Sequence, residues 1–78
     1  MTNVEKIIEK LKDPRRVQVF SLCTEEEQKI YKKAGKYNCL RWDAYSKRWL
    51  EMADFLNGKF YGHATYLIKP HWTPEKLS

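Results

Sequence analysis

Residues 37–52 read YNCLRWDAYSKRWLEM, and two different structures fit them. Spaced as on a helix, Trp42, Tyr45, Trp49, Ala53 and Leu56 line up in one apolar stripe. Spaced as on strands, residues 37–43 and 47–52 form a hairpin around Ala44, Tyr45 and Ser46. The hairpin is adopted here, with the helix as its alternative.

Upstream of this segment the pattern is helical. Val4, Ile7, Ile8 and Leu11 fall at i, i+3, i+4 and i+7, which puts four apolar side chains on one helical face. Thr2 with Glu5 has the spacing of a capping box, and Pro14 ends the helix because the residue before a proline is pushed out of the helical region. Thr24 with Glu27 repeats the capping box and opens a second helix, with Ile30, Tyr31 and Ala34 as its inward face and Gly35 as its stop. Glu25, Glu26 and Glu27 at its start and Lys29, Lys32, Lys33 and Lys36 towards its end complement the helix dipole, so these charges need no ligand to explain them. Between the helices, residues 17–22 are rich in β-branched and large apolar groups and are expected to form a strand.

Downstream, Asn57-Gly58 is a turn signal, and residues 59–61 and 64–69 read as strands separated near Gly62 and His63. Pro70 stops the last strand, and Trp72 is expected to fold back onto the body while the rest of the 71–78 tail frays. The expected architecture is a single α+β domain over residues 1–78, with one or two short helices packed on a small antiparallel β-sheet.

The composition agrees with one core. At 78 residues, 42% apolar and 32% charged, the chain has room for a single domain and is too apolar to be disordered. Two cysteines are too few for a disulfide framework, and the opening residues carry no basic-then-apolar leader, so free thiols and a cytoplasmic location are expected. No apolar run approaches the roughly 20 residues a membrane span needs, so no membrane association is expected. The net charge is +5, but it is spread thinly. Residues 1–24 carry five basic and three acidic side chains, 25–37 four and three, 38–57 three and three, and 58–78 three and one. No polybasic arm stands out, which favours a solvated basic surface over a nucleic-acid footprint.

Catalytic and metal chemistry find little support. Cys23, Cys39, His63 and His71 are the inventory of a structural zinc site, but none of them are close pairs in the chain, so no metal is expected. Cys39 with His63 or His71 and an acid such as Asp43 or Asp54 would give a nucleophile and base, yet no glycine turn accompanies them to stabilise an oxyanion. Gly35, Gly58 and Gly62 form no phosphate loop. The expectation is a non-enzyme with no cofactor.

The remaining concentration of binding chemistry is Tyr37, Arg41, Trp42, Tyr45, Lys47, Arg48 and Trp49. Trp42 and Trp49 are expected first as packing residues, since a small domain needs large side chains. If they stay exposed, two uses are open. Aromatics and cations on a sheet can stack bases and hold phosphates, or they can form the hot spot of a protein interface.

The runs Thr24-Glu-Glu-Glu-Gln28, Lys33-Ala-Gly-Lys36, Asn38-Cys39-Leu40, Tyr66-Leu-Ile-Lys-Pro70 and Trp72-Thr-Pro74 resemble small proteins of bacteriophages and prophages that end in a Tyr-x-Ile-Lys-Pro strand. The resemblance covers residues 24–74 and brings no catalytic residues with it. It implies a non-catalytic accessory protein in the cytoplasm of a bacterial host, acting by binding another macromolecule. A host or bacterial protein is the first expectation for that partner, and a nucleic acid is the alternative.

Overall fold

Both helices begin where a threonine and a glutamate exchange hydrogen bonds with each other's backbone. The computed structural model describes residues 2–54 and 58–74. In α1 (Asn3–Leu11), the Glu5 amide donates to the Thr2 hydroxyl at 3.2 Å and the Thr2 amide donates to the Glu5 carboxylate at 3.1 Å. In α2 (Glu25–Ala34), the Glu27 amide donates to the Thr24 hydroxyl at 3.1 Å and the Thr24 amide to the Glu27 carboxylate at 2.8 Å. Each box satisfies two of the amides that a helix start leaves without partners. Gly35 closes α2 at φ +81°, a backbone conformation that other residues adopt only with strain.

Residues 37–52 do form a hairpin. Strands β1 (Cys39–Asp43) and β2 (Arg48–Glu51) pair antiparallel, and β3 (Tyr66–Ile68) pairs antiparallel on the other side of β1, giving the order β2-β1-β3. The strands are shorter than expected. Tyr37 belongs to a 3-10 turn, Lys36–Asn38, and Met52 begins another, Met52–Asp54. Residues 44–47 make the connecting turn, which Asp43 fixes by accepting from the Ser46 amide at 3.1 Å and from the Ser46 hydroxyl.

Two expected strands do not form. In 17–22, Val19 makes only an isolated bridge with Thr65, and Phe20–Leu22 coils into a 3-10 turn. The Leu22 amide returns to the Val19 carbonyl at 2.8 Å, which curls the chain and leaves the Leu22 side chain 70% exposed. Residues 59–61 are irregular, because the Tyr61 amide is taken by the Tyr66 hydroxyl at 2.8 Å and the Tyr61 carbonyl by the Ala64 amide at 3.2 Å. Backbone groups spent on a side chain and a tight turn are not available to a ladder. Gly58 has φ +69°, as a turn requires, while Asn57 and residues 75–78 of the expected frayed tail lie outside the described residues.

The core gathers Leu11 from α1, Tyr31 and Ala34 from α2, Cys39, Tyr66 and Ile68 from the sheet, and Phe20, Cys23, Met52 and Ala64 from the connections. Rings dominate its centre: Phe60 meets Tyr66 at 4.8 Å and Phe20 at 5.3 Å, and Tyr31 meets Phe20 at 5.8 Å. In a domain this small such large side chains supply much of the buried apolar area. Trp72 folds back, half-buried against this cluster, as expected. α1 is tied to α2 by the Lys10–Glu27 ion pair at 2.6 Å and to the end of the sheet by Lys12, whose ammonium donates to the Pro70 carbonyl at 2.9 Å.

Candidate functional site

Trp42 and Trp49 are not core residues. They stand directly opposite each other on β1 and β2, so both indoles leave the same face of the sheet. The Trp42 amide is engaged at 3.0 Å by the Thr65 carbonyl, on the side of β1 away from β2. Trp42 and Trp49 are therefore a non-hydrogen-bonded cross-strand pair, the kind that brings opposing side chains closest. Their ring centres lie 5.3 Å apart with planes at 65°, an edge-to-face contact, and Trp42 is 39% exposed.

Three residues from elsewhere in the chain complete a cleft around the pair. Pro14 and Val17 come from the turn after α1, and Thr65 comes from the residue before β3. Together with the two indoles they line a volume of about 370 Å³. The turn is held by the Asp13 carbonyl, which accepts from the Arg16 amide at 3.0 Å and the Val17 amide at 3.3 Å, and by the Asp13 carboxylate, which accepts from the Arg15 amide at 2.9 Å. Thr65 is fixed by its bridge to Val19 and its bond to Trp42.

The other residues singled out in the sequence are dispersed. Arg41 is half-buried and faces the opposite side of the sheet, opposite Leu50 and Tyr66. Arg48 shares that side, opposite Asp43. Tyr45, 98% exposed, and Lys47, with φ +56°, occupy the hairpin turn. Tyr37 is 70% exposed before β1, with the Lys36 ammonium 5.2 Å from its ring centre. Strand alternation thus separates the arginines from the tryptophan pair. Pro14, Val17 and Thr65 carry no local signal of a site, and only the tertiary fold collects them.

Among the described residues, the cleft lining contains no carboxylate, imidazole, thiol or amine. It can seat apolar and weakly polar groups, with the Thr65 hydroxyl and indole N–H groups as its polar handles. The two thiols are elsewhere and buried. Burial pushes the Cys39 thiol up from 9.0 to about 12, only slightly opposed by Lys69. Cys23 is also raised, by burial and then by the nearby Glu27 carboxylate. Thiols held protonated in this way are poor nucleophiles. His63 and His71 are exposed, and among the described residues no group of three or more His, Cys, Asp or Glu side chains could hold a metal ion. Asp43 sits below the usual carboxylate range because the Ser46 hydroxyl and amide donate to it, with Arg41 adding a smaller attraction.

No helix among the described residues is long and apolar enough to cross a membrane. In comparison with known proteins, the chain matches no family model, no curated protein and no solved structure.

Proposed function

We propose that this chain is a non-catalytic accessory domain of the small phage and prophage type, working in the bacterial cytoplasm by binding another protein through the Trp42–Trp49 cleft. The observation that carries the reading is the edge-to-face indole pair, Trp42 exposed and Trp49 half-buried, walled by Pro14, Val17 and Thr65, with no acid–base or nucleophilic group among the described residues of the lining. Tryptophans that pack against neighbours yet keep an open face are the anchors on which protein interfaces concentrate their energy. Nucleic-acid binding, the alternative, is less well supported. A platform that stacks successive bases needs aromatic faces set parallel, whereas these two indoles are inclined at 65°, and Arg41 and Arg48 lie on the far face of the sheet.

The test is affinity capture from a nuclease-treated bacterial lysate, with the full chain compared against a W42A/W49A double variant confirmed to be folded. A protein retained in stoichiometric amount by the parent chain and lost by the variant is the expected result. Capture that disappears on nuclease treatment, together with saturable and salt-sensitive tryptophan quenching by single-stranded DNA or RNA, would overturn it.

A further inference from the structure

We infer that the Trp42–Trp49 cleft takes an acidic segment of its partner, one apolar side chain seating in the cleft beside the indoles while flanking carboxylates meet Arg15 and Arg16. This rests on the protein-binding reading above and adds the chemistry of what is bound.

The charge beside the cleft is weighted towards cations. Arg15 and Arg16 lie between Pro14 and Val17, which both line the cleft, and both arginines are exposed. Neither guanidinium forms an ion pair among the described residues. The adjacent acid, Asp13, is already engaged, with its carboxylate accepting from the Arg15 backbone amide. On the sheet face that carries the indoles, the carboxylate contributed by β2 is Glu51, and Lys69 holds it at 2.6 Å. Among the described residues, Arg15 and Arg16 therefore set two cations against the single carboxylate of Asp13 in the turn that walls the cleft, beside a lining with no charged side chain. An apolar group flanked by Asp or Glu matches both features, and a chain of net charge +5 attracts such a segment at long range.

The shape argues for a side chain rather than a base. Indoles inclined at 65° to each other form the walls of a notch and do not offer two parallel faces for consecutive stacking. Pro14, Val17 and the Thr65 methyl extend those walls with aliphatic surface.

The experiment is selection of short random peptides displayed in a library against the full chain, followed by affinity measurement of the enriched peptides at low and moderate salt. The expected peptides carry Asp or Glu next to an apolar residue and lose binding to W49A. They bind an R15E/R16E variant roughly tenfold more weakly, a loss that shrinks as salt rises. Both arginine side chains are on the surface, so this variant keeps its fold even if W49A does not. A K32E/K33E variant makes the same change in net charge on α2, away from the cleft, and should stay within about twofold of the parent. Enriched peptides that depend on Trp49 but lack acids and ignore R15E/R16E would overturn the acidic assignment and leave the protein-binding reading standing. Failure to enrich any Trp49-dependent peptide, with or without binding of single-stranded DNA or RNA, would overturn both.

Discussion

The hydroxyl of Tyr31 donates to the backbone carbonyl of Tyr66 at 2.7 Å, and that carbonyl belongs to the outer edge of β3. Since Trp42 bonds to Thr65 and Lys69 bonds to Asn38, the backbone groups of Thr65, Leu67 and Lys69 point towards β1 and those of Tyr66 point away. A side chain from α2 thus covers a sheet-edge acceptor that would otherwise be buried without a partner. Tyr31→Phe keeps the ring packing and removes only this donor. It should cost about 1–3 kcal/mol in urea denaturation, with an unchanged slope.

A second prediction concerns acid. Burial alone would raise the Glu27 carboxyl, but the Lys10 ammonium at 2.6 Å and the Thr24 amide and hydroxyl outweigh it and hold the group below its ordinary 4.5. A carboxylate depressed in the folded state adds stability that is full above the unfolded value and is lost as pH falls through the folded one. Thermal unfolding should therefore show a decline in stability as pH falls below about 4.5 that is reduced in Glu27→Gln. Lys10→Met, which leaves the buried carboxylate without its cation, should cost about 1–3 kcal/mol at neutral pH.

Alkali should act in the opposite sense. Burial raises the Tyr31 phenol well above its ordinary 10.0 and the Cys39 thiol from 9.0 to about 12. The unfolded chain ionises at the ordinary values while the folded chain keeps its protons, so stability is full below about 9 and falls as pH rises. Native protein should accordingly show slow labelling of Cys39 by a thiol reagent at neutral pH, at a rate set by opening of the fold, and Cys39→Ala should leave partner binding intact.

The capping boxes were legible because they are local: Thr2 with Glu5 and Thr24 with Glu27 need only three-residue spacing and a following apolar face. The hairpin was legible for a similar reason, since β1 and β2 are joined by a short turn. Residues 17–22 misled because their composition suits a strand, whereas the Phe20 and Ser21 amides find the carbonyls of Ala64 and Gly62, more than forty residues away, and the chain then turns. Of the candidate site, the sequence contained both tryptophans but not their setting. Alternation along β1 could have separated Arg41 from Trp42 once the strand was accepted, but nothing near Pro14 or Thr65 indicates that they meet the indoles.

The tryptophan pair offers a direct measurement. Edge-to-face rings of this kind contribute about 0.5–1.5 kcal/mol beyond their burial. A double-mutant cycle on Trp42→Ala and Trp49→Ala should return a coupling energy in that range, and a value near zero would mean that the indoles do not hold each other.

The strand order also governs the sequence of events in folding. β1 and β2 are neighbours in the chain, and a hairpin of this kind closes on the order of 1–10 μs, so the two indoles can meet early. β3 must return from residues 66–68 to lie beside Cys39, and closing that longer loop is rewarded only when Tyr66 and Ile68 reach the aromatic centre. Thr65 arrives with β3, so the cleft around the indole pair is complete only once β3 has docked, and a partner that needs the whole cleft discriminates the finished fold from the half-formed one.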